Sequence, residues 1–116
     1  MQEFRSQTEW ERALFSRLLE RPFPGNAQLA EQLQNALVRQ IDDEGSLGIQ
    51  VRQPAKAEVF HRIPVEAECE DSDGIKLHLL LHVVNGVAEE LEIYKEDGSP
   101  INMLPSVEML RVASVP

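Results

Sequence analysis

The sequence predicts an α+β protein in which two N-terminal helices pack on one face of an antiparallel β-meander of four to five strands. Apolar residues recur at helical spacing in the first third of the chain and alternate with polar residues in most of the remainder. Three glycines, Gly45, Gly74 and Gly86, each separate two alternating segments, as hairpin loops do. The chain has 116 residues, so we expect residues 1–116 to form a single domain.

The helical part of the chain is a predicted hairpin of two helices over about residues 7–37. Thr8 and Glu11 have the spacing of a capping box and predict the start of the first helix, although a second capping box begins two residues earlier. Pro22 ends this helix because proline donates no backbone hydrogen bond. Asn26 is the predicted N-cap of the second helix. Helices of this length are marginal alone, so both need a sheet against which to pack.

The register of each predicted hairpin follows from the apolar pattern. A shift of one residue would turn every side chain of a strand to the opposite face. A three-residue loop at each of the three glycines pairs apolar residues with one another. Leu79 then lies opposite Ala67 and Leu91, and Ile41 lies opposite Leu47. A two-residue Asn-Gly turn in the last hairpin would instead place a glutamate opposite Leu79.

The predicted sheet covers about residues 37–96, and one part of it is irregular. Pro64 donates no hydrogen bond to a ladder, so its strand lies at an edge or contains a bulge. The facing of residues 60–62 (Phe60, His61 and Arg62) therefore stays open. After the sheet, residues 97–116 are expected to form a turn and a short helix.

The polar side of the third, fourth and fifth predicted strands carries many carboxylates and two histidines. We call this surface the outer face, and its predicted binding residues are Glu66, Glu68, His78, Leu80, His82, Glu90, Glu92 and Tyr94. In the predicted register His78 lies between Glu68 and Glu92. Leu80 lies between two further glutamates.

Three interpretations of the outer face stay open. It can be an ordinary solvated face, because antiparallel sheets commonly expose one side to water. It can be a docking surface for a basic protein, since glutamates on a rigid sheet attract Lys- and Arg-rich surfaces. It can be a metal site formed by one histidine with Glu68 and Glu92. His78 and His82 cannot share one ion, because they lie about 13 Å apart along the strand.

Composition excludes several classes of function. The chain has 11 basic and 20 acidic residues and a net charge of −9, so it lacks the clustered cations that nucleic acids require. We expect no membrane association, because the apolar runs are too short for a transmembrane helix and the N-terminus lacks the pattern of a secretory signal. The single cysteine, Cys69, excludes an internal disulfide and indicates a reducing compartment, so we expect a cytoplasmic protein.

No catalytic or cofactor motif occurs in the sequence. It lacks a Gly-x-Ser-x-Gly elbow and a glycine-rich phosphate loop. Residues 71–74 resemble the start of a calcium loop but lack its later glutamate. Cys69 is expected to point inward beside Leu77, and Trp10 is expected to be a core residue. We therefore predict no catalytic residue, no metal ligand and no cofactor.

The last predicted hairpin resembles a known set of proteins. Its residues 90–101 read ELEIYKEDGSPI, and HVVNG at residues 82–86 and RIPVEAE at residues 62–68 precede it. Together they are similar to small bacterial proteins of a domain family of unknown function that end in this hairpin and an Asp-Gly-Ser-Pro turn. The resemblance covers about residues 58–104. It implies a bacterial, cytosolic origin and supplies no catalytic residue.

These observations predict a small acidic protein that is not an enzyme and that binds another protein, one with a basic surface, through the outer face. An immunity-like or regulatory role is the most concrete form of this prediction. The alternative is a metal-dependent binder or enzyme that uses His78 and His82 with the flanking glutamates. The identity of the partner and the oligomeric state stay open.

Overall fold

The structure of the protein is a computed structural model that describes residues 2–52 and 55–116. Two α-helices lie in the N-terminal third, α1 (Glu9–Leu18) and α2 (Asn26–Gln34). The described residues also form six strands, β1 (Leu37–Gln40), β2 (Leu47–Gln50), β3 (Val65–Glu70), β4 (Lys76–Val84), β5 (Val87–Lys95) and β6 (Arg111–Ser114). The strands form one antiparallel sheet in the order β1-β2-β5-β4-β3-β6.

The predicted α+β class is confirmed, but the sheet differs from the predicted meander of four to five strands. β2 pairs with β5 rather than with β3, so the chain crosses the sheet before it enters β3. β6 pairs with β3 where a short C-terminal helix was predicted, and the 3-10 turn Val107–Met109 precedes it. Pairing with the edge of β3, and not a local pattern, stabilises so short a strand.

The two helices begin for local reasons that the sequence partly predicts. The capping box is confirmed, because Thr8 Oγ1 accepts from Glu11 N at 3.1 Å and Glu11 Oε1 accepts from Thr8 N at 2.8 Å. The prediction of Asn26 as an N-cap is wrong, since Gly25, with a φ of 88°, holds that position. The Asn26 amide instead donates to Leu19 O at 3.2 Å, at the end of α1. Neither helix has the length and apolarity to cross a membrane.

One hydrophobic cluster contains buried side chains of both helices and of the sheet. Leu14 in α1 and Leu79 in β4 are fully buried, as predicted for core residues. Cys69 is also buried, which confirms its predicted inward position. The prediction for Trp10 is only partly right, because its side chain is half-buried and packs against the cluster from outside.

The first two hairpins show how loop length decides which side chains face inward. The predicted pairing across the three-residue loop between β3 and β4 is confirmed. Between β1 and β2 the pairing of Ile41 with Leu47 is wrong by one residue, since Gln40 pairs with Leu47. The loop is longer than predicted because the Asp42 carboxylate accepts hydrogen bonds from two backbone N–H groups beyond it. Val38 therefore points inward, and Ile41 is exposed.

The β4–β5 hairpin keeps the predicted facing but not the predicted register. Its turn has two residues, Asn85 and Gly86, with φ of 52° and 76°, instead of the predicted three-residue loop. Leu79 consequently lies opposite Ile93 and not opposite Leu91. A bulge in β5 keeps the apolar side chains of both strands on the inner side of the sheet.

A buried ion pair fixes the segment that follows β5. Lys95 Nζ donates to Asp73 at 2.6 Å, to Asp71 at 2.9 Å and to Pro100 O at 3.2 Å. Asp71 also accepts from the backbone N–H groups of residues 102–103. The hydrogen bond from Lys95 holds the pKa of each carboxyl below its usual value, and these carboxylates raise the pKa of Lys95. The turn after β5 is thereby tied to the β3–β4 hairpin.

We expect alanine at Gly86 to cost more stability than alanine at Gly74. Both positions have positive φ, of 76° and 84°, so alanine is strained at either. A Cβ at Gly86 would also lie 2.8 Å from Ala57 O, whereas a Cβ at Gly74 would meet no atom within 4 Å. Urea denaturation should show a loss of about 1 kcal/mol for Gly74→Ala and a clearly larger loss for Gly86→Ala. Equal losses would contradict the close packing of this turn.

Asp71→Asn should lower stability at neutral pH and weaken the dependence of stability on acid. The pKa of Asp71 in the folded chain lies below the ordinary value of 3.8. The unfolded chain therefore takes up this proton first, and the stabilisation is present above about pH 4 and lost as the pH falls. Urea midpoints at about pH 7 and about pH 3 should differ less for Asp71→Asn than for the parent protein.

The control for this measurement is Asp43→Asn, on the exposed β1–β2 loop, which should keep the parental difference between the two urea midpoints. If Asp71→Asn also kept that difference, the ion pair with Lys95 would not contribute to the acid dependence of stability. That outcome would contradict the structure at this position.

Candidate functional site

The outer face is assembled on the predicted strands. Its residues are exposed or half-buried, and they are Glu66, Glu68, His78, Leu80, His82, Glu90, Glu92 and Tyr94. Glu68 lies opposite His78, as predicted. Between β4 and β5 each partner differs from the predicted one by two residues, because the register differs from the predicted register. The observed pairs are His78 with Tyr94, Leu80 with Glu92 and His82 with Glu90.

The bulge in β5 decides which residue faces His82. One extra residue, Glu89, stands between the partners of His82 and Val83. Gln32, a buried side chain of α2, supports this irregularity. Its Oε1 accepts from Ala88 N at 2.9 Å, and its Nε2 donates to two backbone carbonyls at 2.8 Å each. A core side chain therefore fixes the register of the outer face.

The His82 ring is held at both nitrogens. Its Nε2 lies 2.8 Å from Glu92 Oε1, and its Nδ1 accepts a hydrogen bond from Arg62 Nε at 3.0 Å. Because Nδ1 is an acceptor, the proton of the neutral ring is on Nε2, from which it is donated to Glu92. Arg62 thus belongs beside the outer face, and the whole stretch 60–62 is exposed. Apolar and polar residues do not alternate in the segment around Arg62, so the sequence does not predict this position.

The outer face brings one histidine, and not both, together with flanking glutamates. The ligand atoms of His82, Glu90 and Glu92 lie within 4.8 Å of one another. His78 is not part of this group. Its ring stacks on Tyr94 with ring centroids 4.8 Å apart and an interplanar angle of 15°, and its Nε2 lies 3.9 Å from Glu96 Oε2. The predicted combination of one histidine with Glu68 and Glu92 is therefore replaced by a different one, which the bulge creates.

Two cations compensate Glu68 and Glu70, near the end of β3. Arg111, on β6, forms an ion pair with Glu70 and lies 3.5 Å from Glu68. Lys76 lies 3.7 Å from Glu68. The hydrogen bond from Arg111 lowers the pKa of Glu70. This role of Arg111 does not follow from the sequence pattern, which predicts a short helix in the C-terminal segment where β6 lies.

Negative charge without a cationic partner is concentrated around Leu80, across β3, β4 and β5. Leu80 is half-buried on β4, directly between Glu66 on β3 and Glu92 on β5. Within residues 2–52 and 55–116 no cation forms an ion pair with Glu66 or Glu90, and Glu92 accepts the hydrogen bond from His82. We call this surface (Leu80, Glu66, Glu90 and Glu92) the Leu80 patch.

The single cysteine is unsuited to nucleophilic chemistry. Cys69 is buried on the inner side of β3. Burial, and next the charge of Glu70, raise the pKa of its thiol. The thiol therefore stays protonated at neutral pH, whereas a nucleophile acts as the thiolate.

Comparison with known proteins gives one match. A family model described as "Domain of unknown function (DUF6984)" matches residues 4–105, which contain both helices and strands β1 to β5 but not β6. The predicted resemblance to a domain family of unknown function is consistent with this match. No curated protein and no solved structure matches the chain.

Gln32→Met should destabilise the protein, because it removes the hydrogen-bond acceptor of a buried backbone N–H group in the bulge. An unsatisfied buried group costs about 1–3 kcal/mol, and urea denaturation should show a loss of this size. The matched control is Gln28→Met on the exposed side of α2, with an expected change below about 0.5 kcal/mol. Similar losses for the two variants would mean that Gln32 does not hold the bulge.

Proposed function

We propose that this chain, which belongs to the DUF6984 family, is a small non-enzymatic protein that binds a basic protein partner through the Leu80 patch. The observation that carries the proposal is the position of the half-buried apolar Leu80 directly between two glutamates on neighbouring strands. This arrangement offers an apolar contact with negative charge on both sides. It suits a protein surface that presents Lys or Arg beside an apolar residue.

Charge compensation favours the Leu80 patch over the end of β3 that carries Glu68 and Glu70. Glu68 and Glu70 already interact with cations of the chain, so a cation of a partner would gain less there. Glu66 and Glu90 have no such compensation within the described residues. The net charge of −9 adds a general attraction for basic proteins, which salt screens over about 8–10 Å.

The strands beneath the Leu80 patch give it a fixed geometry. β4 and β5 are each nine residues long and lie inside the sheet. The inward neighbours of Leu80, which are Leu79 and Leu81, are fully buried. A surface held by a packed core loses little conformational freedom on binding, and this favours affinity.

An immunity-like or regulatory role is the most concrete form of the proposal. A partner whose activity depends on a basic surface would be inhibited when the Leu80 patch covers that surface. We place this binding in the bacterial cytoplasm, in keeping with a single, buried and unpaired cysteine, Cys69.

A divalent metal ion at His82, Glu90 and Glu92 is the second candidate, as part of a metal-dependent binder or enzyme. The ligand atoms of these three side chains lie within 4.8 Å of one another, and this proximity favours a shared metal ion. The hydrogen bond from Arg62 to Nδ1 opposes it, because the proton then occupies Nε2, the nitrogen nearest the glutamates. Calorimetric titration with Zn²⁺ tests this candidate, and binding heat that Glu90→Gln abolishes would favour it over protein binding.

Site-specific photo-cross-linking in the host cell tests the main proposal. A benzophenone amino acid in place of Leu80 should trap a basic protein, and the yield should fall as salt is added to a lysate. The same amino acid in place of Ala27, on the exposed side of α2, is the control and should not trap that protein. Trapping only from position 27, or trapping of an acidic protein from position 80, would overturn the proposal.

Reversing the charge of the Leu80 patch should slow association and leave the fold intact. Glu66→Lys combined with Glu92→Lys should reduce the association rate with the trapped partner about tenfold or more, because steering charges are reversed. Glu31→Lys combined with Glu108→Lys is the control, since it changes the net charge equally at two exposed positions. Thermal melting checks the fold of both variants. Equal slowing in both would show that net charge alone governs binding.

A further inference from the structure

A groove outside the outer face lies where the start of α1, the β1–β2 loop and residues 103–106 meet. Its volume is about 620 Å³, which is within the range of protein binding sites. Its apolar lining includes Trp10, Leu47, Met103 and Leu104. Met103 is 70% exposed and Leu104 is 46% exposed. Both side chains therefore offer apolar surface at the rim of the groove.

Two hydrogen bonds hold this rim in place. Met103 N donates to Asp71 Oδ1 at 3.2 Å, and Trp10 Nε1 donates to Pro105 O at 2.8 Å. The polar atom of the indole is thus satisfied within the chain, and the rest of the ring offers an apolar surface. A rim that is already in place reduces the entropy cost of binding.

The charges around the groove favour one kind of ligand. Arg5 lines the groove, but it makes two hydrogen bonds to the buried Glu11 carboxylate, at 2.8 and 2.9 Å, so its charge is compensated. Gly45 also lines the groove, and residues 42–44, which precede it just outside the lining, are all acidic. An apolar floor beside an acidic loop complements apolar side chains that are flanked by Lys or Arg.

We propose that this groove binds a basic, apolar peptide segment of another protein, independently of the Leu80 patch. A second copy of the chain is a poor occupant, because its net charge of −9 would bring like charges together at the acidic loop. An anionic membrane surface is opposed by the same charge. A protein segment with Leu or Met side chains fits better, since the flexible side chain of Met103 adapts to irregular apolar surfaces.

The fluorescence of Trp10, the single tryptophan of the chain, reports on this groove. The probe is a short synthetic amphipathic peptide of Leu and Lys, and the matched peptide has Glu in place of every Lys. We expect a saturable change in Trp10 emission with the Leu–Lys peptide and binding about tenfold weaker, or none, with the Leu–Glu peptide. No saturable change with the Leu–Lys peptide, or equal responses to both peptides, would overturn the proposal.

Two methionines provide a matched pair of variants. Met103→Gln removes an apolar contact at the rim and should weaken binding of the Leu–Lys peptide about fivefold or more. Met109→Gln makes the same change at a similarly exposed residue (67%) outside the groove, and it should bind like the parent protein. The charge-reversed variant of the Leu80 patch should also keep this binding within about twofold, which separates the two proposals. Equal weakening by both methionine variants would place the peptide elsewhere and refute the inference.

Discussion

Asp71 and Lys95 are both buried and charged, and such charges are tolerated only where they are paired, here Asp71 with Lys95 and Lys95 with both Asp71 and Asp73. The pair joins the β3–β4 hairpin, the end of β5 and the segment through residues 102–103. Without Lys95, Asp71 would be a buried, uncompensated charge, and without Asp71, Lys95 would keep only the more exposed Asp73 as its ion-pair partner. These parts of the chain are therefore fixed together. The hairpin carries much of the outer face, and the following segment forms the rim of the groove. Both candidate surfaces therefore depend on this one ion pair.

The bulge in β5 resolves a conflict between turn chemistry and the apolar pattern. Residues 85–86, Asn-Gly, favour a two-residue turn, but a regular ladder from that turn would place apolar side chains opposite glutamates. One extra residue, Glu89, restores the inward facing of the apolar residues. Gln32 then satisfies a backbone N–H group in the irregular ladder. The pairing of His82 with Glu90 on the outer face is thus a consequence of what the core requires.

The alternating pattern predicted the facing of side chains better than it predicted their partners. Facing depends on alternation within one strand, so Leu79 is buried and every predicted residue of the outer face lies at least partly exposed. The partner of each residue depends on loop length and on bulges. Hydrogen bonds to Asp42 set the length of the β1–β2 loop, and the bulge in β5 sets the register between β4 and β5. Arg62 and Arg111 lie in segments without periodicity, and tertiary contacts place them. The burial of Lys95 could be predicted from the sequence, because it occupies an inward-facing position of β5 and a buried charge requires a partner.

β6 changes the charge balance of the outer face. It lies beyond residues 4–105, which the family model matches, yet it covers the edge of β3 and supplies Arg111 to Glu68 and Glu70. Without β6, the edge of β3 would expose unpaired backbone groups, and the carboxylates of Glu68 and Glu70 would lose the charge of Arg111. Such an edge pairs readily with other chains, and such carboxylates attract cations. With β6 in place, Glu66 and Glu90 are the outer-face glutamates that have no hydrogen-bond or ion-pair partner among the described residues. In the proposed docking, Leu80 adds an apolar requirement to this charge, so that a partner would need both an apolar and a basic group and one basic surface would be distinguished from another.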